Sequence, residues 1–105
     1  MAETWMRVVI YRSHSTEESA GAEYLRTSTR DTLRLLEGQP GFKLGYWGHN
    51  PSAGEMAAVT YWESLDSIRA AGPVLQKLQS ERDRQGIRVT SARNMRLMSL
   101  SQKQN

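Results

Sequence analysis

The sequence predicts an α+β domain with both helices on one face of a four-stranded antiparallel sheet. Three observations lead there. Hydrophobic periodicity switches between two and about 3.6 residues along the chain, in the order strand, helix, strand, strand, helix, strand. The middle strands are joined by a short loop, which makes them an antiparallel hairpin. No linker or shift of composition divides the 105 residues, a length that suits one domain. This order is the split βαβ, ferredoxin-like arrangement. Residues 1–100 are expected to form the domain, and the polar tail 101–105 to fray.

Each element has a local cause. Trp5 to Tyr11 is aromatic and β-branched, with Arg7 as its only charge, and reads as the first strand. Arg12 to Ser19 is polar. Ser15, Thr16 and Ser19 offer helix caps, and Glu17 and Glu18 suit the positive end of a helix dipole. A helix is expected over 18–37, with Ala22, Leu25, Thr29, Leu33 and Leu36 on one face. Gly38 stops it, and Pro40-Gly41 turns the chain. Phe42 to His49 is the second strand, where Gly45 and Gly48 indicate a bulge or a close approach. Residues 50–54 are a loop, and Met56 to Trp62 the third strand. Ser64 caps a second helix with Asp66 in its first turn, and Leu65 and Ile68 begin its apolar face. Gly72-Pro73 interrupts that helix, because proline lacks the donor and clashes with the preceding turn. Val74, Leu75 and Leu78 share a face in the following helical piece, which Gly86 ends. Ile87 to Leu100 is extended, with irregularity near Ser91 to Asn94.

Composition excludes several function classes. There is no cysteine, so no disulfide framework, thiolate nucleophile, iron–sulfur cluster or cysteine zinc site is available. The apolar run Val8-Val9-Ile10-Tyr11 is far short of the ~20 residues a membrane helix needs, and Arg7 interrupts any signal-peptide pattern. A cytoplasmic protein without membrane contact is expected. The 14 basic and 11 acidic residues leave a net charge of +3, too little to mark a nucleic-acid binder. RNA-recognition motifs share the element order, but Met56 to Trp62 lacks their basic residue, glycines and phenylalanines, so no nucleic-acid partner is expected. The two histidines, His14 and His49, have no neighbouring ligand cluster, and no metal site is expected. Phosphate loops, nucleophile elbows and dinucleotide fingerprints are also missing.

Strand alternation points to a partner. Met6, Val8 and Ile10 oppose Trp5, Val9 and Tyr11 on the first strand. Phe42, Leu44 and Tyr46 oppose Gly45 and Trp47 on the second. Ala57, Val59 and Tyr61 oppose Ala58, Thr60 and Trp62 on the third. Both faces are apolar, yet two helices cover only one. The other face would be a larger apolar patch than monomers usually carry, so a homodimer through the sheet face is expected.

Three features resemble the antibiotic biosynthesis monooxygenase family of the dimeric α+β barrel superfamily. They are Leu36-Glu37-Gly38-Gln39-Pro40-Gly41-Phe42, Ala58-Val59-Thr60-Tyr61-Trp62-Glu63-Ser64, and the order of elements over nearly the whole chain. The resemblance implies a dimeric α+β barrel and a pocket between sheet and helices lined by Trp62. Haem-degrading relatives also need a histidine where Gly72 stands and an asparagine near Met6, so no haem is expected here. Polyketide hydroxylases resemble the chain at His49 and Arg82, and differ at Ala58, where they carry asparagine.

The implied activity is cofactor-free oxygenation of a small hydrophobic or aromatic, polyketide-like compound. Such chemistry needs a base, a donor for the substrate oxygen and a dry aromatic slot. His49 is the expected base. Arg82 or Asn50 supplies the donor, and Trp62, Tyr46 and Phe42 line the slot. Two other readings remain open. One is a non-enzymatic dimeric barrel that binds a small hydrophobic ligand, and the other is an isomerase or cyclase using the same pocket.

Overall fold

The computed structural model describes residues 3–13, 30–50, 52–84 and 86–98. Seven elements are defined: β1 (Trp5–Ser13), α1 (described over residues 30–37), β2 (Phe42–Asn50), β3 (Glu55–Trp62), α2 (Leu65–Ala70), α3 (Gly72–Arg84) and β4 (Ile87–Arg96). The strands form one antiparallel sheet in the order β2-β3-β1-β4. The first and last strands are therefore neighbours, and β1 reaches β2 only across β3, as the split βαβ arrangement requires. His14, the cap candidates 15–19, the first part of the expected helix with Ala22, Leu25 and Thr29, and the tail 101–105 lie outside the described residues.

Each helix boundary has a visible cause. Ser64 is extended, and its hydroxyl accepts from the Ser67 amide at 3.0 Å, capping α2. The Ala71 amide then closes on Ser67 and Ile68, and α3 restarts at Gly72. Pro73 falls in the first turn of α3, where its missing N–H costs no helical bond. In α1 the buried positions are Thr32 and Leu36, four residues apart, whereas the expected stripe ran through Leu33 and Leu36. The inward face is turned slightly toward Thr32.

Two strand irregularities decide which side chains share a face. Between Phe42 and Leu44 the β2–β3 register shifts by one residue. Lys43 is the extra residue of this bulge, and Phe42 moves to the helix side of the sheet. Simple alternation had grouped Phe42 with Leu44 and Tyr46. Instead it stacks edge-on against Trp62, with ring centroids 5.4 Å apart. The second shift lies between Ile10 and Tyr11, opposite Thr90 on β4, whose hydroxyl donates to the Ile10 carbonyl at 3.1 Å. It falls one residue before the expected irregular stretch. β4 ends at Arg96, short of the expected Leu100, and the Leu97 amide closes the sheet on the Thr4 carbonyl.

Between sheet and helices lie two apolar clusters. Leu36, Trp62, Ile68 and Ala71 form one, packed by Phe42, Leu75 and Leu78. Val9, Tyr11, Met56, Ala58 and Ile87 form the other. Trp47 packs against both. Its ring folds back over Gly45, where a Cβ would sit 2.6 Å from the indole. The close approach expected at Gly45 is this contact.

Among the described residues no helix covers the opposite face of the sheet. By strand register it presents Met6, Val8, Ile10, Leu44, Tyr46, Ala57, Val59, Tyr61 and Met95. Leu44, Tyr46 and Met95 are exposed there, and Tyr46 meets Tyr61 edge-on at 6.3 Å.

Candidate active site

Where the two clusters meet, a cavity opens between the sheet and the helices. The cavity proper measures about 30 Å³, and with its open mouth the cleft holds about 450 Å³ of unfilled space. The sheet supplies Arg7 and Val9 from β1, Trp47 from β2, Ala58 and Thr60 from β3, and Val89 from β4. The helices supply Thr32 and Leu36 from α1, and Leu75, Leu78, Gln79 and Arg82 from α3. The α3 residues recur at three- and four-residue intervals, so one stripe of the helix faces the cavity.

The lining is apolar at its walls and rich in donors. Arg82 is only 8 % exposed, and its guanidinium lies over the Tyr11 ring, 4.7 Å from the centroid. That cation–π contact holds the charge in place without neutralising it. Arg7 is half-buried on β1, and its Nη1 donates to Asn94 Oδ1 on β4 at 3.1 Å. Burial, together with the nearby Arg82 charge, holds the Arg7 guanidinium below its ordinary range. Among the described residues neither guanidinium forms an ion pair with a carboxylate. Trp47 carries a buried Nε1–H with no acceptor among the described residues. Thr60 accepts from Trp62 Nε1 at 2.9 Å and keeps its own hydroxyl proton to donate.

The expected site residues fall in three places. Arg82 lines the cavity. Trp62 and Phe42 stand behind its wall: Trp62 is 0 % exposed, and its neighbours Thr60 and Leu36 face the cavity, as do Trp47, Leu75 and Leu78 packed on the same cluster. His49, Asn50 and Tyr46 lie outside the lining. By register His49 sits on the helix side, opposite Met56 and two residues beyond Trp47. Asn50 Oδ1 at the strand end accepts from Ser52 Oγ at 2.8 Å. Tyr46 is 64 % exposed on the open face.

Sequence reasoning passed over Arg7, Trp47, Thr60 and Gln79. One signal for Arg7 was present: a single charge at an odd position of a strand whose other odd positions are Trp5, Val9 and Tyr11. Such a charge is drawn against apolar neighbours at a desolvation cost. Chemically, the lining stabilises negative charge. Its described residues include no carboxylate and no histidine.

No family model and no curated protein matches the sequence. Solved structures do. SnoaB from Streptomyces nogalater, described as a cofactor-independent oxygenase, superposes with a TM-score of 0.67 at 15% identity, over 96% of this chain and 97% of that one. A monooxygenase encoded by ActVA-Orf6 of Streptomyces coelicolor, solved with nanaomycin D, gives 0.71 at 12% identity, over 98% and 93%. A Deinococcus radiodurans protein designated a candidate antibiotic biosynthesis monooxygenase gives 0.62 at 12% identity, over 97% of each chain. The chain therefore has the α+β fold of antibiotic biosynthesis monooxygenase-type proteins along nearly its whole length.

Proposed function

We propose that this chain is a cofactor-independent monooxygenase for a small, electron-rich aromatic compound of polyketide type. The observation that carries the reading is Arg82, buried and with no ion pair among the described residues, at a donor-rich cavity in a fold shared with named oxygenases. The reaction balances without an outside reductant. A base removes the phenolic proton of the substrate, for instance from the phenol tautomer of an anthrone. The anion gives an electron to O₂, and the radical pair recombines to form a C–O bond. The O–O bond then breaks, the carbon loses its remaining proton, and one oxygen stays as C=O while the other leaves as water.

Arg82 and the Trp47 N–H would hold the developing oxyanion, which is where fixed dipoles and charges act most strongly. His49 is the proposed base, reached by a substrate that extends past Trp47 toward the end of β2, and Asn50 follows it at the cleft edge. Trp62 and Phe42 fix the wall through Thr60 and Leu36. Tyr46 belongs to the opposite face, and we assign that face to a second copy of the chain in a dimeric barrel. A cytoplasmic setting is part of the same proposal and rests on the cysteine-free composition.

The test is oxidation of 1,8-dihydroxyanthrone under ¹⁸O₂ by the full chain. One labelled oxygen per quinone, formed well above the uncatalysed rate, supports the reading. No acceleration on this or related anthrones and naphthols overturns it. His49→Ala should slow turnover by about 10²–10⁴-fold if His49 is the base; unchanged turnover removes that assignment. One observation favours a second reading, a ligand-binding barrel without oxygen chemistry. The cavity proper, about 30 Å³, is small beside the roughly 300–1,000 Å³ of typical ligand pockets. Saturable anthrone binding without oxygen uptake would select it.

A further inference from the structure

We propose that the ligand of this cavity carries a permanent carboxylate, bound between Arg7 and Arg82, on an apolar aromatic body. The inference rests on the cavity being a substrate site, as proposed above, and adds the chemical class of what enters it. Three observations support it independently of the reaction. Two guanidiniums from different elements, β1 and α3, line one small cavity. Neither forms an ion pair among the described residues, and Tyr11 and Asn94 hold them without cancelling their charge. Trp47 contributes a further buried donor that lacks an acceptor among the described residues.

The charge arithmetic favours a carboxylate over a transient phenolate. A phenolate exists only during turnover, whereas the half-buried Arg7 and the buried Arg82 repel each other at all times. A ligand that arrives already charged relieves that repulsion on binding, and a carboxylate accepts the planar fork of arginine through two parallel hydrogen bonds. Burial and the Arg82 charge already disfavour the protonated form of Arg7, so an anion there meets an electrostatic demand that no described carboxylate answers. The walls set the rest of the ligand. Val9, Leu36, Leu75, Leu78 and Val89 offer hydrocarbon surface that a small inorganic anion would not use.

The experiment is calorimetric titration of the full chain at pH 7.5 and low salt. The probes are 2-naphthoate, its neutral isostere 2-naphthamide, and inorganic phosphate. Naphthoate should bind at least tenfold more tightly than naphthamide or phosphate. In Arg7→Gln and in Arg82→Gln that preference should fall below about threefold, with circular dichroism confirming the fold. Arg7→Lys keeps a charge but loses the fork, and should retain an intermediate preference. Equal affinity for acid and amide overturns the proposal, as does failure of naphthoate to bind at 1 mM. Phosphate binding as tightly as naphthoate replaces the aromatic acid with an inorganic anion and overturns it equally. Survival of the preference in both glutamine variants moves the anion elsewhere and sinks the site. The wild-type comparison stands even if a variant fails to fold. Oxygen uptake is measured separately: acid preference without any oxygenation leaves the anion site and removes the monooxygenase reading, and the converse removes only the anion site.

Discussion

Each face of the sheet departs in its own way from the usual arrangement of polarity. The helix-covered face, where only hydrocarbon is expected, carries Arg7, Thr60 and, from α3 above it, Arg82. The uncovered face, where polar side chains belong, carries Leu44, Tyr46, Val59, Tyr61 and Met95. Antiparallel sheets with one solvated face normally alternate apolar-in and polar-out. Each departure has the same physical meaning. A charge drawn from water with no ion-pair partner among the described residues and an exposed apolar patch are both surfaces that cost a single chain free energy. Under the proposals above, an anionic ligand meets the first and a second copy of the chain meets the second.

The comparison breaks most visibly at its aromatics. Trp62 and Tyr46 lie on strands that pair with each other, but on opposite sides. Trp62→Ala should cost about 3–5 kcal/mol, the usual range for emptying a buried aromatic site. Tyr46→Ala should change the stability of an isolated monomer by less than about 0.5 kcal/mol, because its ring is mostly exposed. Chemical denaturation measures both. Light scattering separates the second role of Tyr46: in a sheet-to-sheet dimer Tyr46→Glu should yield monomers, because a charge is driven into the apolar centre of the interface. A Tyr46→Glu protein with unchanged mass would remove the sheet face from the dimer proposal. Equal denaturation midpoints for Trp62→Ala and Tyr46→Ala would dissolve the distinction between the faces.

A smaller effect is expected at Thr60, where the covered face joins its two halves. Its hydroxyl accepts the Trp62 Nε1–H at 2.9 Å inside the core. Thr60→Val keeps the shape and leaves that donor buried without an acceptor. The expected loss is about 1–3 kcal/mol, the cost of an unsatisfied buried polar group. Thr60→Ser keeps the acceptor and should retain most of the stability. If valine and serine behave alike in urea unfolding, the hydrogen bond contributes nothing and Thr60 matters only through its volume.

These contrasts explain how much could be read before the structure. The order of elements was legible because each strand and helix is locally consistent, with Ser64 as a cap and Pro73 as a break. The faces of β1 and β3 were legible because alternation is strict there. Phe42 was not, because the bulge at Lys43 is a one-residue event that reverses a face and leaves no mark in periodicity. Of the residues lining the cavity, Arg82 alone was named from the sequence as a site residue. The cavity is built from residues as far apart as Arg7 and Val89, and a one-dimensional pattern does not report which side chains meet across a sheet and a helix. Tyr46 was grouped with Trp62 on aromatic character alone, and the sheet stands between them.

Arg7 supplies the finest test of the contrast, because removing a charge there should not weaken the fold. Its guanidinium is a cation whose ordinary pKa is lowered by burial and by Arg82. A cation with a lowered folded-state pKa binds its proton less well in the folded chain than in the unfolded one. Stability from this group therefore recovers only as pH rises through the strongly alkaline range where arginine titrates. Between about pH 5 and 9 the penalty is fully present and does not vary. Arg7→Met removes it, fills similar volume with a flexible apolar chain, and gives up the hydrogen bond to Asn94, which lies in an exposed setting. The net expectation is a melting temperature equal to wild type or higher by the equivalent of about 1 kcal/mol, flat across neutral pH. Saturating 2-naphthoate should then raise the melting temperature of the wild type, since a ligand that binds only the folded state stabilises it, and should leave the methionine variant nearly unmoved. A variant clearly less stable than wild type would make Arg7 a structural residue, and the unusual polarity of the covered face would then belong to the fold itself, with no ligand implied.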